Sequence, residues 1–561
     1  MAEAMDRRSF LARSAATTGG ALAAGTVADL AISGEAGAVT KGGTLKIGVG
    51  SADTAGYGPA FGKMDAAGFQ NMRLVYDPLL AIDSSGNPRP YLAESVTPNA
   101  NHTVWTIKLR SGVKFHDGST LTSADLAANV EAWLNPKAIA HYAVAQLIAG
   151  VKIIDGLTVQ VTTNVMKIGS SKKQIQWVTF PHSIAEQQIS YVQKNPSPAG
   201  DKNPVGTGPF KFVSCGWGST STVYYTKNTN YWRTGLPYLN AVEVHPIPSG
   251  VSRLAALQSG SVDVVSLSEP QQIHAIKGNG SYTYIDDSNP AGYAVRLPAV
   301  DCIQLNCSTG VGGYKSAFLA PAARKALAMA LNRHQINTAT NYGVTNAADA
   351  CYPTSSVYGK PSVPFPAFSA SAAAKAAKAA GLKSFNLMTV SGSPSQASQA
   401  ALIQAQCQAA GITCNIKPQA DQTTLINNAL NGLYDATLWN QFGGTCPDLN
   451  WPWWTDKDGG PGALVSINMS RNFDDKINTL MMGAMAAGKS SASNKLWSEI
   501  NSQLNVDLPY MYIDYQVSAW VSKNTVKGWT NPTIPASPGY AGGARLVQEG
   551  LVANFTEAWI S

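Results

Sequence analysis

Tyr76-Asp77-Pro78-Leu79-Leu80, Pro90-Tyr91-Leu92-Ala93-Glu94-Ser95, Trp105-Thr106-Ile107-Lys108-Leu109-Arg110-Ser111-Gly112-Val113-Lys114-Phe115-His116-Asp117-Gly118 and Leu121-Thr122-Ser123-Ala124-Asp125-Leu126 follow one another in the stretch from Tyr76 to Trp133. Val104 to Leu109 alternates apolar and polar residues, the pattern of a half-buried strand. Ser111-Gly112 and Asp117-Gly118 are turn dipeptides on either side of a second short strand. Thr122 suits a helix N-cap, and Asp125 places an acid in the first turn, where the helix dipole favours it. Leu126, Val130, Trp133 and Leu134 give that helix one buried face, and Pro136 stops it.

The same order of words resembles a family signature, that of the extracytoplasmic solute-binding proteins of ATP-driven oligopeptide, dipeptide and nickel importers. Pro78 stands where the family pattern has glycine, and Leu126 where it has valine. The resemblance resumes at Pro204-Val205-Gly206-Thr207-Gly208-Pro209-Phe210, at Asn228 to Trp232, and at Arg253 to Asp263, which reads as a helix ended by Gly260. It continues through Ile303-Gln304-Leu305-Asn306, the helix from Pro321 to Arg333, the strand Tyr434 to Trp439, and Leu508 to Ile513, similar to the family's return strand to the first domain.

Short strands alternating with helices indicate layered α/β architecture. The resemblance implies more: a bilobal fold of the type II periplasmic-binding-protein kind with an inserted subdomain. In that scheme 42–80, 201–300 and 511–561 form a first lobe, 81–200 the insert, and 301–510 a second lobe. The family's function implies capture of a small solute, a short peptide above all, between the lobes. It also implies delivery to a membrane permease driven by separate ATPase subunits. Relatives with this signature also bind sugars, opines and metal chelates, so an oligosaccharide is the alternative ligand.

Composition agrees with a folded, exported protein. Apolar residues make up 45% and charged ones 13% of 561, which excludes a disordered chain. The net charge of +7 is spread without basic runs, which argues against a nucleic-acid partner. Arg7-Arg8-Ser9-Phe10-Leu11 before the Ala/Gly-rich run to Ala28 resembles a twin-arginine export signal, with Ala36-Gly37-Ala38 as a cleavage site, so residues 1–38 are expected to be removed. The first cysteine, Cys215, follows far behind, which disfavours a lipid anchor. Localisation outside the cytoplasmic membrane follows. Cys407 and Cys414, at a helix end and on the next strand, are placed to meet, and Cys351 and Cys446 are long-range candidates. No cysteine or histidine spacing suits a metal, and no cofactor is expected.

The candidate binding site is Trp439-Asn440-Gln441-Phe442-Gly443-Gly444-Thr445-Cys446-Pro447-Asp448-Leu449-Asn450-Trp451. A strand opens into a glycine loop with free backbone groups, followed by an acid and tryptophans. The resemblance assigns Asp448 to the α-ammonium of a peptide. Trp439, Phe442, Gly443, Gly444, Cys446, Trp451 and Asn306 are the other expected ligand contacts. Two catalytic readings compete. Gly483 to Ser490 spells a phosphate-loop string, but helical spacing from Phe473 to Met485 runs straight into it, without the strand such a loop needs. A hydrolase would need a nucleophile with its base, and no Gly-x-Ser-x-Gly elbow occurs. His116 and Asp117 read as a strand end and turn. The chain is expected to bind, not to catalyse.

Overall fold

The Tyr76–Trp133 stretch builds the edge of a small antiparallel sheet. The computed structural model describes residues 39–52, 56–57, 66–135, 142–168, 171–185, 202–286, 299–353, 356, 358, 360–391, 393–441, 443, 446–455, 468–546 and 553–561. Val104–Leu109 lies between Ala93–Pro98 and Thr158–Thr163, with Ile148–Ile153 outermost. Its alternation buries Trp105, Ile107 and Leu109 on one face. The helix Ser123–Trp133 follows, and the Asp125 carboxylate accepts from both the N–H and the hydroxyl of Thr122, at 2.8 and 2.7 Å. Leu126, Val130 and Trp133 are buried from that helix. The expected second strand is reduced to one bridge, Lys114 to Thr120. Phe115 to Ser119 is spent on a tight turn instead, in which Asp117 accepts from the Ser119 N–H.

This sheet interrupts a larger one. The seven-stranded sheet has the order Phe210–Cys215, Val223–Lys227, Ala241–Pro246, Thr44–Val49, Val264–Leu267, Ala519–Lys523, Tyr282–Asp286. Thr44–Val49 runs parallel to both its neighbours, and the buried Leu45, Ile47 and Val49 belong to its core. The two parts are joined where Pro204 to Phe210 passes Val75 and Tyr76. A Cβ on Gly206 or Gly208 would overlap the Val75 carbonyl, so only glycine permits this approach. Asp77 is buried beside it and accepts from the Thr207 hydroxyl (3.0 Å), the Tyr231 hydroxyl (3.0 Å) and the Trp232 indole (2.8 Å).

A five-stranded sheet makes up the rest, in the order Thr413–Gln419, Ser384–Val390, Ala436–Gln441, Val300–Leu305, Tyr510–Tyr515. Helices Pro321–Ala330, Ala370–Ala380 and Pro394–Ala409 accompany it, two of them capped by Ser369 and Ser393. Tyr510–Tyr515 pairs with Val300–Leu305, so the return to the seven-stranded sheet comes one strand later than the resemblance implied, at Ala519–Lys523. The two sheets are the centres of two lobes in a mixed α/β fold. The hydrophobic cluster of the five-stranded sheet continues through Trp177, Phe180 and Ile184 into the four-stranded one, whereas the seven-stranded sheet has its own.

All seven cysteines are free thiols, including Cys407 and Cys414, and Cys351 and Cys446. The helix-turn-strand placement of the first pair buries both without joining them.

Candidate functional site

The strand Ala436–Gln441 sits in the middle of the five-stranded sheet because nearly every residue along it is buried. Its last residue, Gln441, lies opposite Val300, and Val300 lies opposite Tyr515. The strand therefore ends beside both places where the chain passes between the two large sheets. From there it runs through half-buried Gly443 to the short turns Pro447–Asn450 and Trp451–Trp454. These reach the four-stranded subdomain. The Asp448 carboxylate accepts from the Trp177 indole N–H (3.1 Å) and from the Thr179 hydroxyl, and the Cys446 thiol lies 3.1 Å from the Ser183 hydroxyl. The segment thus packs the end of the five-stranded sheet onto the four-stranded subdomain, within the hydrophobic cluster that the two share.

Burial pushes the Asp448 carboxyl up to about 6, against the two donors, which favour its charged form. The same burial pushes the Cys446 thiol above its ordinary range and keeps it protonated. Neighbouring polar atoms lack partners. The Trp439 indole N–H, both ends of the Gln441 amide, the Trp454 indole N–H and the Tyr512 hydroxyl are buried and make no hydrogen bond. Leaving such a group unsatisfied costs about 1–3 kcal/mol, so clusters of them mark places that water or a ligand completes. Trp439 and Gln441, two apart on a strand, share a face. The Trp439 ring lies 6.3 Å from that of Trp453, and Trp454 meets Tyr352 edge-on at 5.9 Å.

The expected site residues therefore divide. Trp439, at the strand end, keeps an unpartnered indole N–H, and Gly443 follows it half-buried. Asp448 and Cys446 are turned to the subdomain, and Trp451 is buried in the shared cluster. Asn306 is scaffold: its amide donates to the Gly432 and Tyr434 carbonyls (2.9 and 3.1 Å) and its oxygen accepts from the Ser308 N–H. A ligand would find no free group on it. Phe442 and Gly444 lie outside the described residues. Gln441 was missed, although the alternation that exposes Trp439 to the site extends to it.

Neither catalytic string has catalytic geometry. His116 puts Nε2 3.0 Å from the Gly208 carbonyl oxygen, and burial lowers its pKa to about 4, so the ring is neutral and holds the glycine turn in place. Gly483 lies inside the helix Asp475–Ala487, Ser490 caps the next helix, and Lys489 donates to the Gly86 carbonyl at 2.7 Å. No strand feeds this turn and no N–H groups converge from one, as a phosphate loop requires.

Comparison with known proteins bears on the family and the fold. Residues 87–462 match the family model described as "Bacterial extracellular solute-binding proteins, family 5 Middle". The glutathione-binding protein GsiB of Pectobacterium atrosepticum is 25% identical over 296 residues, and that of Salmonella typhi 26% over 296. The first covers 52% of this chain and 52% of the relative, so the chain spans about half the length of the curated relatives it matches. Among solved structures, DppA of Helicobacter pylori in complex with the peptide STSA has TM-score 0.72 at 19% identity, covering 93% of this chain and 98% of that one. The oligopeptide-binding protein AppA of Bacillus subtilis, with a nonapeptide, gives 0.70 at 19%, covering 93% and 100%. NikZ of Campylobacter jejuni, with Ni(L-His), gives 0.69 at 18%, covering 89% and 99%. At these identities the likeness establishes the fold, a bilobal one.

Proposed function

Because the chain belongs to the bacterial extracellular solute-binding proteins of family 5, we propose that it captures a short peptide between its lobes outside the cytoplasmic membrane. Delivery is to an ABC permease with its ATPase subunits, and the chain itself performs no chemistry. The observation that carries the peptide reading is the pair Trp439 and Gln441. An unpartnered carboxamide offers one donor and one acceptor together, which matches the main-chain amide of an extended peptide. The Trp439 indole adds a donor for a carbonyl or carboxylate oxygen. The names of the relatives that bind glutathione and peptides point the same way. Residues 1–38 are its twin-arginine-type export signal.

In this reading Trp439, Gln441 and Gly443 face the ligand. Asp448, with Cys446 and Trp451, joins the second lobe to the subdomain over it, and turns to an α-ammonium only by giving up Trp177 or Thr179. Titration calorimetry with glutathione, tri-alanine and N-acetyl-tri-alanine tests both roles. Gln441→Leu is expected to weaken peptide binding by tenfold or more, whether or not the peptide is acetylated. A preference for the free amine that disappears in Asp448→Ala assigns Asp448 to the ammonium. The Trp439–Trp453 pair supports one other ligand, an oligosaccharide stacked on the rings, and binding of cellotriose in place of the peptides would replace the peptide reading.

A further inference from the structure

Side chains of paired residues share a face of a sheet, so the register of the five-stranded sheet places Trp439 and Tyr512 on either side of Cys302. One step toward the strand end, Gln441 and Tyr515 flank Val300 in the same way. Small side chains on the central strand, between large ones on both neighbours, leave a groove along Val300 and Cys302. Gln304 stands at its inner end, two residues further on the same face. Residues from two other segments close over it. The Tyr515 hydroxyl donates to the Ala350 carbonyl at 2.9 Å, and the Trp453 ring lies 6.3 Å from that of Trp439. The Gln441 end is the one next to the ligand segment, because Gly443 follows directly.

The walls and the inner end carry polar atoms with nothing to bind. The Trp439 indole N–H, the Tyr512 hydroxyl, the Gln304 amide oxygen and both ends of the Gln441 amide are buried without a hydrogen bond. Which atom of Gln304 is free follows from its partner. The Tyr434 hydroxyl donates to the Met469 carbonyl at 2.7 Å, so it can only accept from Gln304, whose N–H group lies 3.1 Å away, and the oxygen is left over. No charge stands among these groups. Asp301 and Asp514 pair on the opposite face, and Arg333 is spent on Asp349 and on the Ala348 and Tyr512 carbonyls. Burial raises the pKa of the Cys302 thiol and of the Tyr512 and Tyr515 hydroxyls, so each stays neutral.

We propose that this groove is a specificity pocket for an uncharged, hydrogen-bonding side chain of the captured peptide, a carboxamide such as that of glutamine. The inference deepens the peptide reading given above and rests on it. With Gln441 engaged by the peptide main chain, the Trp439 N–H and the Tyr512 hydroxyl remain as donors and the Gln304 oxygen as an acceptor. A carboxamide supplies the complement, an oxygen with two lone pairs and two N–H donors. Successive rows on one face lie about 7 Å apart, so a long side chain that starts beside Gln441 ends between Trp439 and Tyr512. A carboxylate or an ammonium would lose its hydration there without a counter-charge. An alkyl chain would leave the polar atoms stranded.

Titration calorimetry of the full chain at neutral pH with Ala-Gln-Ala, tri-alanine, Ala-Leu-Ala, Ala-Glu-Ala and Ala-Lys-Ala tests the pocket. Ala-Gln-Ala is expected to bind about tenfold tighter than tri-alanine, and the two charged peptides more weakly than tri-alanine. Tyr512→Phe removes one unpartnered hydroxyl and should cut the ratio of Ala-Gln-Ala to tri-alanine affinity several-fold. If that variant does not fold by circular dichroism, the peptide series in the native chain decides alone. Equal affinity for Ala-Gln-Ala and tri-alanine means that water alone completes these groups, and overturns the pocket while the peptide reading stands. A preference for Ala-Leu-Ala, or a glutamine preference that Tyr512→Phe leaves intact, overturns it as well. If none of the peptides binds, the peptide reading falls and the pocket with it.

Discussion

Asp77 and Asp448 are alike in everything but where their partners come from. Both are buried carboxylates that accept from a threonine hydroxyl and a tryptophan indole, and burial raises the pKa of each. The donors to Asp77 come from Thr207, Tyr231 and Trp232, within the part of the chain that the glycine turn locks to Val75. Those to Asp448 come from Trp177 and Thr179, on the four-stranded subdomain, a different sheet from the one that carries Asp448. A buried acid inside one body stabilises the fold. The same arrangement across two bodies stabilises one position of them, and its energy enters the closure equilibrium.

The largest effect should therefore be at Asp77. Asp77→Ala strands the buried Thr207 hydroxyl and the half-buried Trp232 N–H and leaves the Tyr231 hydroxyl only Tyr91, and is expected to cost roughly 2–3 kcal/mol of folding stability. Urea unfolding measures this. Molecules that remain folded should bind ligand with native affinity. An affinity loss larger than the loss of folded protein would make Asp77 part of closure and erase the contrast.

Asp448→Ala should act the other way round. Its two stranded donors become wet when the lobes part, so the melting temperature should fall less than for Asp77→Ala. The scattering radius of the ligand-free protein should increase. The pH dependence has a definite sign. The Asp448 carboxyl is at about 6 in the closed form and nearer its ordinary value once hydrated. The closed form thus holds the extra proton, and closure weakens as pH rises from about 4 to about 6 and changes no further above that. Asp448→Asn should remove this acid-side dependence.

The division between the two acids also explains what could be read in advance. Around Asp77 the signals are local: strand alternation to Leu109, the Thr122–Asp125 cap, and glycines that must be glycines. The alternation and the cap are fixed by residues a few positions apart, and the strand and helix formed where that spacing put them, whereas Gly206 and Gly208 answer to Val75 from more than a hundred positions away. Asp448 meets Trp177 and Thr179 from more than two hundred positions away, and Asp77 meets Thr207 and Trp232 from more than a hundred. No spacing encodes such meetings. Asn306 was expected as a ligand contact for the same reason, because the carbonyls of Gly432 and Tyr434 that occupy its amide lie in a turn more than a hundred positions away, before the strand Ala436–Gln441. Gln441 was within reach, since it continues the face of Trp439. It went unremarked because a glutamine carries chemistry only when its neighbours leave it unpaired.

The smallest effect tests the phosphate-loop string against the same contrast. Lys489 is exposed, and its ammonium donates to the Gly86 carbonyl, a long-range contact like that of Asp448 but with an uncharged partner. Gly488 packs against Val178, next to both residues that hold Asp448, so the string sits on the latch itself. Lys489→Ala should change stability by about 1 kcal/mol or less, because the Gly86 carbonyl regains water when the side chain is gone. It should open the ligand-free protein slightly, and by less than Asp448→Ala. Calorimetry with ATP and magnesium should give no heat of binding for either the native chain or the variant, since helix precedes the glycines where a phosphate site needs a strand. Nucleotide binding that Lys489→Ala removes would make the string a site and the latch a secondary use of it.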